Sequence, residues 1–194
     1  MKTLGIDTSN YTTSASVCEN GIIKENVRIG LEVSKGGVGL RQSDAVFAHI
    51  KNIPQLMKRL ESDISDIDAV GVSSKPRDAE GSYMPCFLSG VSVATSVARA
   101  LNVPLYEFSH QSGHIRAAMY SAGVNFDDTF YAYHLSGGTF ELLEVTPCDG
   151  RYAVKIIGGS RDVTAGQLID RVGVKLGLKF PCGAELEKLA NTFD

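Results

Sequence analysis

The sequence predicts an α/β protein in which one structural unit is completed and then begun again. Three observations carry that reading: strand-like runs broken by Asn-Gly and Asp-Gly, a helix-period segment after each set of three strands, and the return of this order in the second half. In the first copy, Lys2–Asp7, Thr12–Glu19 and Ile22–Arg28 read as strands joined at Asp7-Thr-Ser-Asn10 and at Asn20-Gly21. A polar, glycine-bearing loop from Gly30 to Gly39 leads into a helix from about Ser43 to Leu60. Val46, Phe47, Ile50, Ile53, Met57 and Leu60 mark its apolar face, and Pro54 is expected to kink or interrupt it. Ile67–Ser73 is the next strand, followed by a turn-rich loop from Ser74 to Pro85. A helix with Leu88, Val91, Val97, Ala98 and Leu101 inward comes next, and then a strand over Val103–Phe108.

The order then restarts. Thr129–Leu135, Phe140–Thr146 and Arg151–Ile157 read as strands with turns at Gly137-Gly138 and Asp149-Gly150. A helix follows from Thr164, whose hydroxyl and Gln167 are spaced for a capping box, and a last helix starts near Gly183. Such a duplication is what an actin-like, ribonuclease-H-like fold looks like in sequence, with a first subdomain over residues 1–122 and the start of a second over 123–194. The second copy lacks the further strand–helix–strand of the first, so the chain reads as part of a longer design whose second half is incomplete. Apolar surface and an open sheet edge are then expected near Phe140–Ile157, covered by a homodimer. In such a fold the first hairpin turns of the two copies, at Asp7 and Ser136, face each other across a cleft.

Composition narrows the function. With 194 residues, 43% of them hydrophobic, the chain can bury a substantial core, and a net charge of −3 disfavours autonomous charge-driven binding of nucleic acid. The four cysteines, Cys18, Cys86, Cys148 and Cys182, form no Cys-x-x-Cys pair and read as ordinary thiols of a reducing compartment. Asp7 interrupts the apolar core a signal peptide would need, and no run approaches membrane-spanning length. A cytoplasmic protein without a membrane partner is the expectation.

His110 and His114 stand four residues apart directly after a strand, so a helix there stacks both imidazoles on one face. The spacing admits a shared metal ion or simply a helix carrying two histidines. Zinc proteases enclose a general-base Glu in their H-E-x-x-H, whereas Gln111, Ser112 and Gly113 offer no base here, which disfavours zinc-peptidase chemistry. Two ligands also fall short of the three or four that zinc takes from protein, so the affinity expected of this chain is weak. The turns Asp7-Thr8-Ser9 and Ser136-Gly137-Gly138 carry hydroxyls and glycines suited to an anion, and equally serve as hairpin punctuation.

Taken in order, these segments resemble the tRNA threonylcarbamoyladenosine transferases, long labelled O-sialoglycoprotein endopeptidases. Leu4-Gly-Ile-Asp-Thr-Ser9 is similar to their opening strand and turn, and Gly90–Leu101, Pro104 and His110-x-x-x-His114 to their central helix and metal motif. His134-Leu-Ser-Gly-Gly138, Ala165-Gly-Gln-Leu-Ile-Asp-Arg171, Leu176-Gly-Leu and Pro181-Cys-Gly183 follow their later motifs. The resemblance implies threonylcarbamoyl transfer to the adenosine next to the anticodon of tRNA, an acyltransferase reaction assisted by one iron or zinc ion on His110 and His114. It implies ATP or threonylcarbamoyl-adenylate as ligand, touched by His134, Leu135, Ser136, Gly137, Gly138, Asp170, Gly183 and Glu187, with Asp7, Thr8 and Ser9 as a further phosphate-side turn. The partners it implies are tRNA and the other proteins of the threonylcarbamoyl-transfer complex.

The chain departs from the family pattern at Lys75-Pro76-Arg77, where the family has Gly-Pro-Gly, and at Thr139, where it has His. The family's late Asp and Asn fall beyond Asp194, so this chain alone is expected to lack a complete active site. Two alternatives therefore stay open: a non-catalytic paralogue that scaffolds the tRNA-modification complex, and a phosphotransferase on the same fold.

Overall fold

Matching turns pace the strands of both halves. In the computed structural model, which describes residues 1–32, 40–136 and 138–192, Asn20 and Gly21 take φ of 51° and 79°, while Asp149 and Gly150 take 47° and 73°. Left-handed backbone at both central positions gives a two-residue hairpin the twist of its strands, and Asn-Gly and Asp-Gly adopt it at least cost. The chain divides into two units, Met1–Gly123 and Val124–Asp194.

In the first unit, β1 (Lys2–Asp7), β2 (Thr12–Glu19) and β3 (Ile22–Gly30) form an antiparallel meander. After α1 (Gln42–Arg59), β4 (Ala69–Lys75) pairs parallel to β1, and after α2 (Phe87–Leu101), β5 (Leu105–Ser109) pairs parallel to β4. The resulting order is β3-β2-β1-β4-β5. The last helix of the unit, α3 (His110–Ala122), leaves β5 without a loop. Leu4, Ile6, Ala15, Val17, Val70 and Val72 alternate along three neighbouring strands and make one face of the sheet apolar. Leu56 of α1 and Ala94 and Ala98 of α2 close on that face.

Both helices bury faces other than those expected, and Pro54 bears on the continuity of α1. Pro54 lies inside α1 without interrupting it. Pro54 is exposed and so is Ile50, whose carbonyl loses its partner, so water can satisfy that carbonyl. Phe47 and Ile50, read as inward, are 64% and 55% exposed, because the buried stripe runs through Ala45, His49, Ile53 and Leu56. Leu88, also read as inward, is 52% exposed, and Phe87, Ser89, Gly90, Ala94 and Ala98 are buried in its place. Small residues let α2 approach the sheet closely, which turns the helix away from its larger side chains. Gly90 shows the limit, since a Cβ there would stand 2.8 Å from Thr8 Oγ1.

The second unit repeats the meander as β6 (Phe130–Leu135), β7 (Phe140–Cys148) and β8 (Arg151–Gly159), all antiparallel. It continues with α4 (Ala165–Lys175), started by the Thr164–Gln167 capping box, and α5 (Gly183–Ala190). Strand–strand–strand–helix thus recurs. Leu143 and Val145 are its buried sheet residues, while Tyr131, Tyr133, Leu135, Ile156 and Ile157 are exposed. Gly173 of α4 packs on the segment before α5 so tightly that a Cβ would meet Cys182 Cβ at 2.2 Å. All four cysteines are free thiols, and among the described residues no helix is long and apolar enough to cross a membrane.

Gly90→Ala should destabilise the first unit by about 1–3 kcal/mol, the usual cost of forcing a methyl into a filled site. Denaturant unfolding would measure it, and an unchanged midpoint would show that the β1–α2 contact is not close-packed.

Candidate functional site

Parallel pairing brings the carboxyl ends of β1, β4 and β5 to one side of the sheet, the side on which open α/β sheets build their sites. Asp7 ends β1, Lys75 ends β4, and Ser109 ends β5 and caps α3. Asp7 Oδ1 accepts from the Ser9 backbone N–H at 2.7 Å and from the Ser9 hydroxyl. Its Oδ2 lies 2.9 Å from His110 Nδ1. Burial opposes the charge of Asp7, but the hydrogen bond and charge of His110 outweigh it and, with the hydroxyls of Ser73 and Ser9, hold the carboxyl far below its usual range.

A carboxylate at Nδ1 requires that nitrogen to donate, so Nε2 of a neutral His110 presents its lone pair outward. That Nε2 stands 2.8 Å from Nε2 of His114, with the two rings edge-on at 79°. The sequence-predicted pair is therefore brought together on one helical face, and Phe87 borders His110 with its ring 6.2 Å away. At this distance one Nε2–H donates to the other ring's lone pair, and replacing that proton would let the two nitrogens share a metal. Nitrogens about 2.0–2.1 Å from one tetrahedral zinc lie roughly 3.4 Å apart, so the rings would part by about half an ångström. A carboxylate on the far nitrogen of one ligand is the usual outer support of a metal-binding imidazole, and the donor set fits part of a metal site. Among the described residues no group of three His, Cys, Asp or Glu side chains is placed to hold an ion.

Three groups around this pair were not singled out from sequence. Asp78, in the loop after β4, accepts the hydroxyls of Ser109 and Ser112 at 2.7 and 2.8 Å and pairs with Lys75 at 3.2 Å. His49 of α1 is fully buried next to the strand that follows the Asp7 turn, its Nδ1 2.8 Å from Thr13 Oγ1, to which Asn52 also donates. Burial pushes the pKa of His49 down and outweighs the opposing pull of the Asn10 backbone and the charge of Asp7. A serine one residue before the His110 helix is a legible N-cap signal, but nothing in the sequence ties Asp78 or His49 to positions more than thirty residues away.

The other proposed contacts sort differently. Thr8 is fully buried, its hydroxyl donating to the Cys86 carbonyl at 2.9 Å and accepting the Gly90 N–H at 3.0 Å. In the second unit, His134 Nδ1 faces Glu141 across the β6–β7 pair at 3.7 Å. Leu135, Ser136 and Gly138 are exposed at the turn, where Ser136 N–H bonds the Thr139 carbonyl at 2.8 Å, and Gly137 lies outside the described residues. That turn opens on a hollow of about 400 Å³ shared with Glu141, Ser160, Arg161 and Thr164. Asp170 accepts the Cys182 N–H at 2.8 Å, which ties α4 to the start of α5. Gly183 opens α5 with room for a Cβ, and Glu187 is exposed one turn later.

Comparison with known proteins places this geometry. The family model described as tRNA N6-adenosine threonylcarbamoyltransferase matches residues 31–193. A protein of that name from Thermosipho melanesiensis is 31% identical over 98% of this chain and 57% of its own length. One from Pediococcus pentosaceus is 35% identical over 97% of this chain and 53% of its own. The chain thus spans about half the length of the curated relatives it matches. Among solved structures, a ROK family protein from Streptococcus pneumoniae, in complex with sucrose, covers 100% of this chain and 68% of its own, with a TM-score of 0.57 at 14% identity. That likeness supports the duplicated actin-like fold.

Asp7→Asn should destabilise the first unit by about 1–3 kcal/mol near neutral pH, the range for a hydrogen bond to a charged group. Since the folded carboxyl titrates below its unfolded value, this contribution is complete above about pH 4 and fades as pH falls further. The variant's stability should therefore fall less steeply on the acid side, as acid-limb unfolding curves would show; parallel curves would remove the Asp7–His110 bond from the account.

Proposed function

Because the chain belongs to the tRNA N6-adenosine threonylcarbamoyltransferase family, we propose that it carries the metal and part of the nucleotide site of an enzyme that moves a threonylcarbamoyl group onto the adenosine next to the anticodon of tRNA. The observation that carries the reading is the convergence of His110 and His114 through Nε2, with Asp7 fixing the far nitrogen of His110. His110 and His114 would hold one iron or zinc ion. When bound, the ion supplies Lewis-acid polarisation and a template for a carbonyl or phosphoryl oxygen. Asp7 holds the His110 proton at Nδ1 and keeps Nε2 available as a ligand. In the second unit the Ser136–Gly138 turn and its hollow suit the phosphate of ATP or of threonylcarbamoyl-adenylate, with Leu135 beside it.

In the reaction proposed, the adenosine N6 amine attacks the carbamoyl carbonyl, the C–O bond to the adenylate breaks, and AMP leaves with that oxygen while N6 gives up a proton. Thr8 and Ser9 serve that site through structure, since their hydroxyls are engaged by Cys86 and Asp7. Asp170 would act by holding Cys182 and hence the start of α5, which carries Gly183 and Glu187 toward the nucleotide. The substrate tRNA, the proteins of the transfer complex, a cytoplasmic setting and a homodimer formed near Phe140–Ile157 belong to the same proposal. A second reading, a scaffolding paralogue, is favoured by one observation: Lys75-Pro76-Arg77 stands where the family has Gly-Pro-Gly.

Titration of the full chain with Co²⁺ under reducing conditions tests the metal reading. Excess Co²⁺ should give a saturable ligand-field spectrum, and changing both His110 and His114 to Ala should abolish it. Metal uptake undiminished in the double variant would discard the assignment. Nucleoside analysis of tRNA exposed to the protein, threonylcarbamoyl-adenylate and the metal bears on the second reading, because formation of modified adenosine would overturn the scaffold.

A further inference from the structure

The His pair depends on where α3 begins and how it is rotated, and the start of α3 is held from outside the helix. Ser109 is the N-cap, its Oγ accepting the Ser112 N–H at 3.1 Å. Each serine hydroxyl has a single proton to give, and both reach Asp78 Oδ2, from Ser109 at 2.7 Å and from Ser112 at 2.8 Å. With both protons directed to the carboxylate, the 2.9 Å contact between the two hydroxyl oxygens is a consequence of their shared acceptor. The other carboxylate oxygen pairs with Lys75 at the end of β4, and the Gln111 N–H donates to the Pro76 carbonyl at 3.0 Å. Asp78 thus grips the first turn of α3 at its cap and its third residue, and Pro76 at its second, while Lys75 holds Asp78. Negative charge at a helix N-terminus also suits the dipole of α3.

We propose that Asp78 is a positioning residue for the His110–His114 pair: the carboxylate joins the loop after β4 to Ser109 and Ser112, and so sets the rotation of α3 that makes the two Nε2 atoms converge. This rests on the metal reading of that pair. Asp7 acts on His110 alone, whereas Asp78 acts on the helix and therefore on both imidazoles. His114 is one turn further along the same helix, so its position follows the placement of α3. The arrangement occupies the stretch where the Lys75-Pro76-Arg77 segment differs from the family, which gives that departure a structural purpose.

The experiment compares the parent, Asp78→Ala and Asp78→Asn in the full chain, by Co²⁺ titration and by the ¹⁵N signals of the imidazole rings without metal. Asp78→Ala removes both acceptors and should weaken Co²⁺ binding by about 10–100-fold, the range for loss of a supporting partner at a metal site. It should also shift the ring signals of both histidines toward those of solvated imidazole. Asp78→Asn keeps an acceptor oxygen for both hydroxyls and should recover most of the affinity and the parent signals, a rescue that a general loss of stability would not give. Parent-like ring signals in Asp78→Ala would overturn the inference, as would failure of Asp78→Asn to rescue. If the parent takes up no Co²⁺, the metal reading fails, and the ring signals still decide whether Asp78 positions the pair.

Discussion

The first unit depends on one buried hydroxyl. Thr8 Oγ1 donates to the Cys86 carbonyl and accepts the Gly90 N–H, and so spans from the end of β1 to the first turn of α2. The contact exists only because residue 90 has no side chain, and the closeness it allows explains why α2 buries Gly90, Ala94 and Ala98 and leaves Leu88 outside. A fully buried hydroxyl with both roles filled adds to stability, whereas one left unpaired would cost about 1–3 kcal/mol. The turn after β1 is therefore fixed relative to the helix that follows β4, and Asp7, one residue earlier, inherits that position.

From this point the constraint passes along the sheet. Parallel register puts Asp7, Lys75 and Ser109 at neighbouring strand ends, so a carboxylate on β1 can reach a histidine over one hundred residues later in the chain. Because β5 runs into α3 without a loop, the sheet sets the height of the helix, and the side chains around Ser109 set its rotation. The site is thus built on rigid elements, which holds imidazoles closer to a productive geometry than loops can. His49 is the exception to this economy, a buried ring with one nitrogen on Thr13.

Much of this was legible in the sequence, for identifiable reasons. Strand order and hairpins followed from Asn20-Gly21 and Asp149-Gly150, since few other pairs hold left-handed backbone twice. The convergence of His110 and His114 followed from helical spacing, and the start of α4 from the Thr164–Gln167 box. What was not legible depends on distance along the chain or on depth. Phe47 and Ile50 were read as core because they are apolar, yet the face of α1 is chosen by Ala45 and His49, which fit beneath it. Asp78 resembles any loop carboxylate until Ser109 and Ser112 are seen beside it. Asp170 reads as a solvated charge or a ligand contact, and its bond to the Cys182 N–H is apparent only in three dimensions.

The two copies of the meander have put the same turn to different uses. In the first, the residues after β1 face inward: Thr8 and Ser9 are buried, and their hydroxyls are engaged within the unit. In the second, Ser136 and Gly138 are exposed, and Gly138 borders a hollow with space around it where a side chain could stand. A turn closed by its own hydroxyls can orient a neighbour, as Asp7 does for His110, but has little to offer an anion. An open turn of small residues has the reverse capacities, with backbone that a ligand can approach closely. The first turn, closed by the hydroxyls of Thr8 and Ser9, fixes Asp7 beside His110, and the second leaves Ser136 and Gly138 accessible.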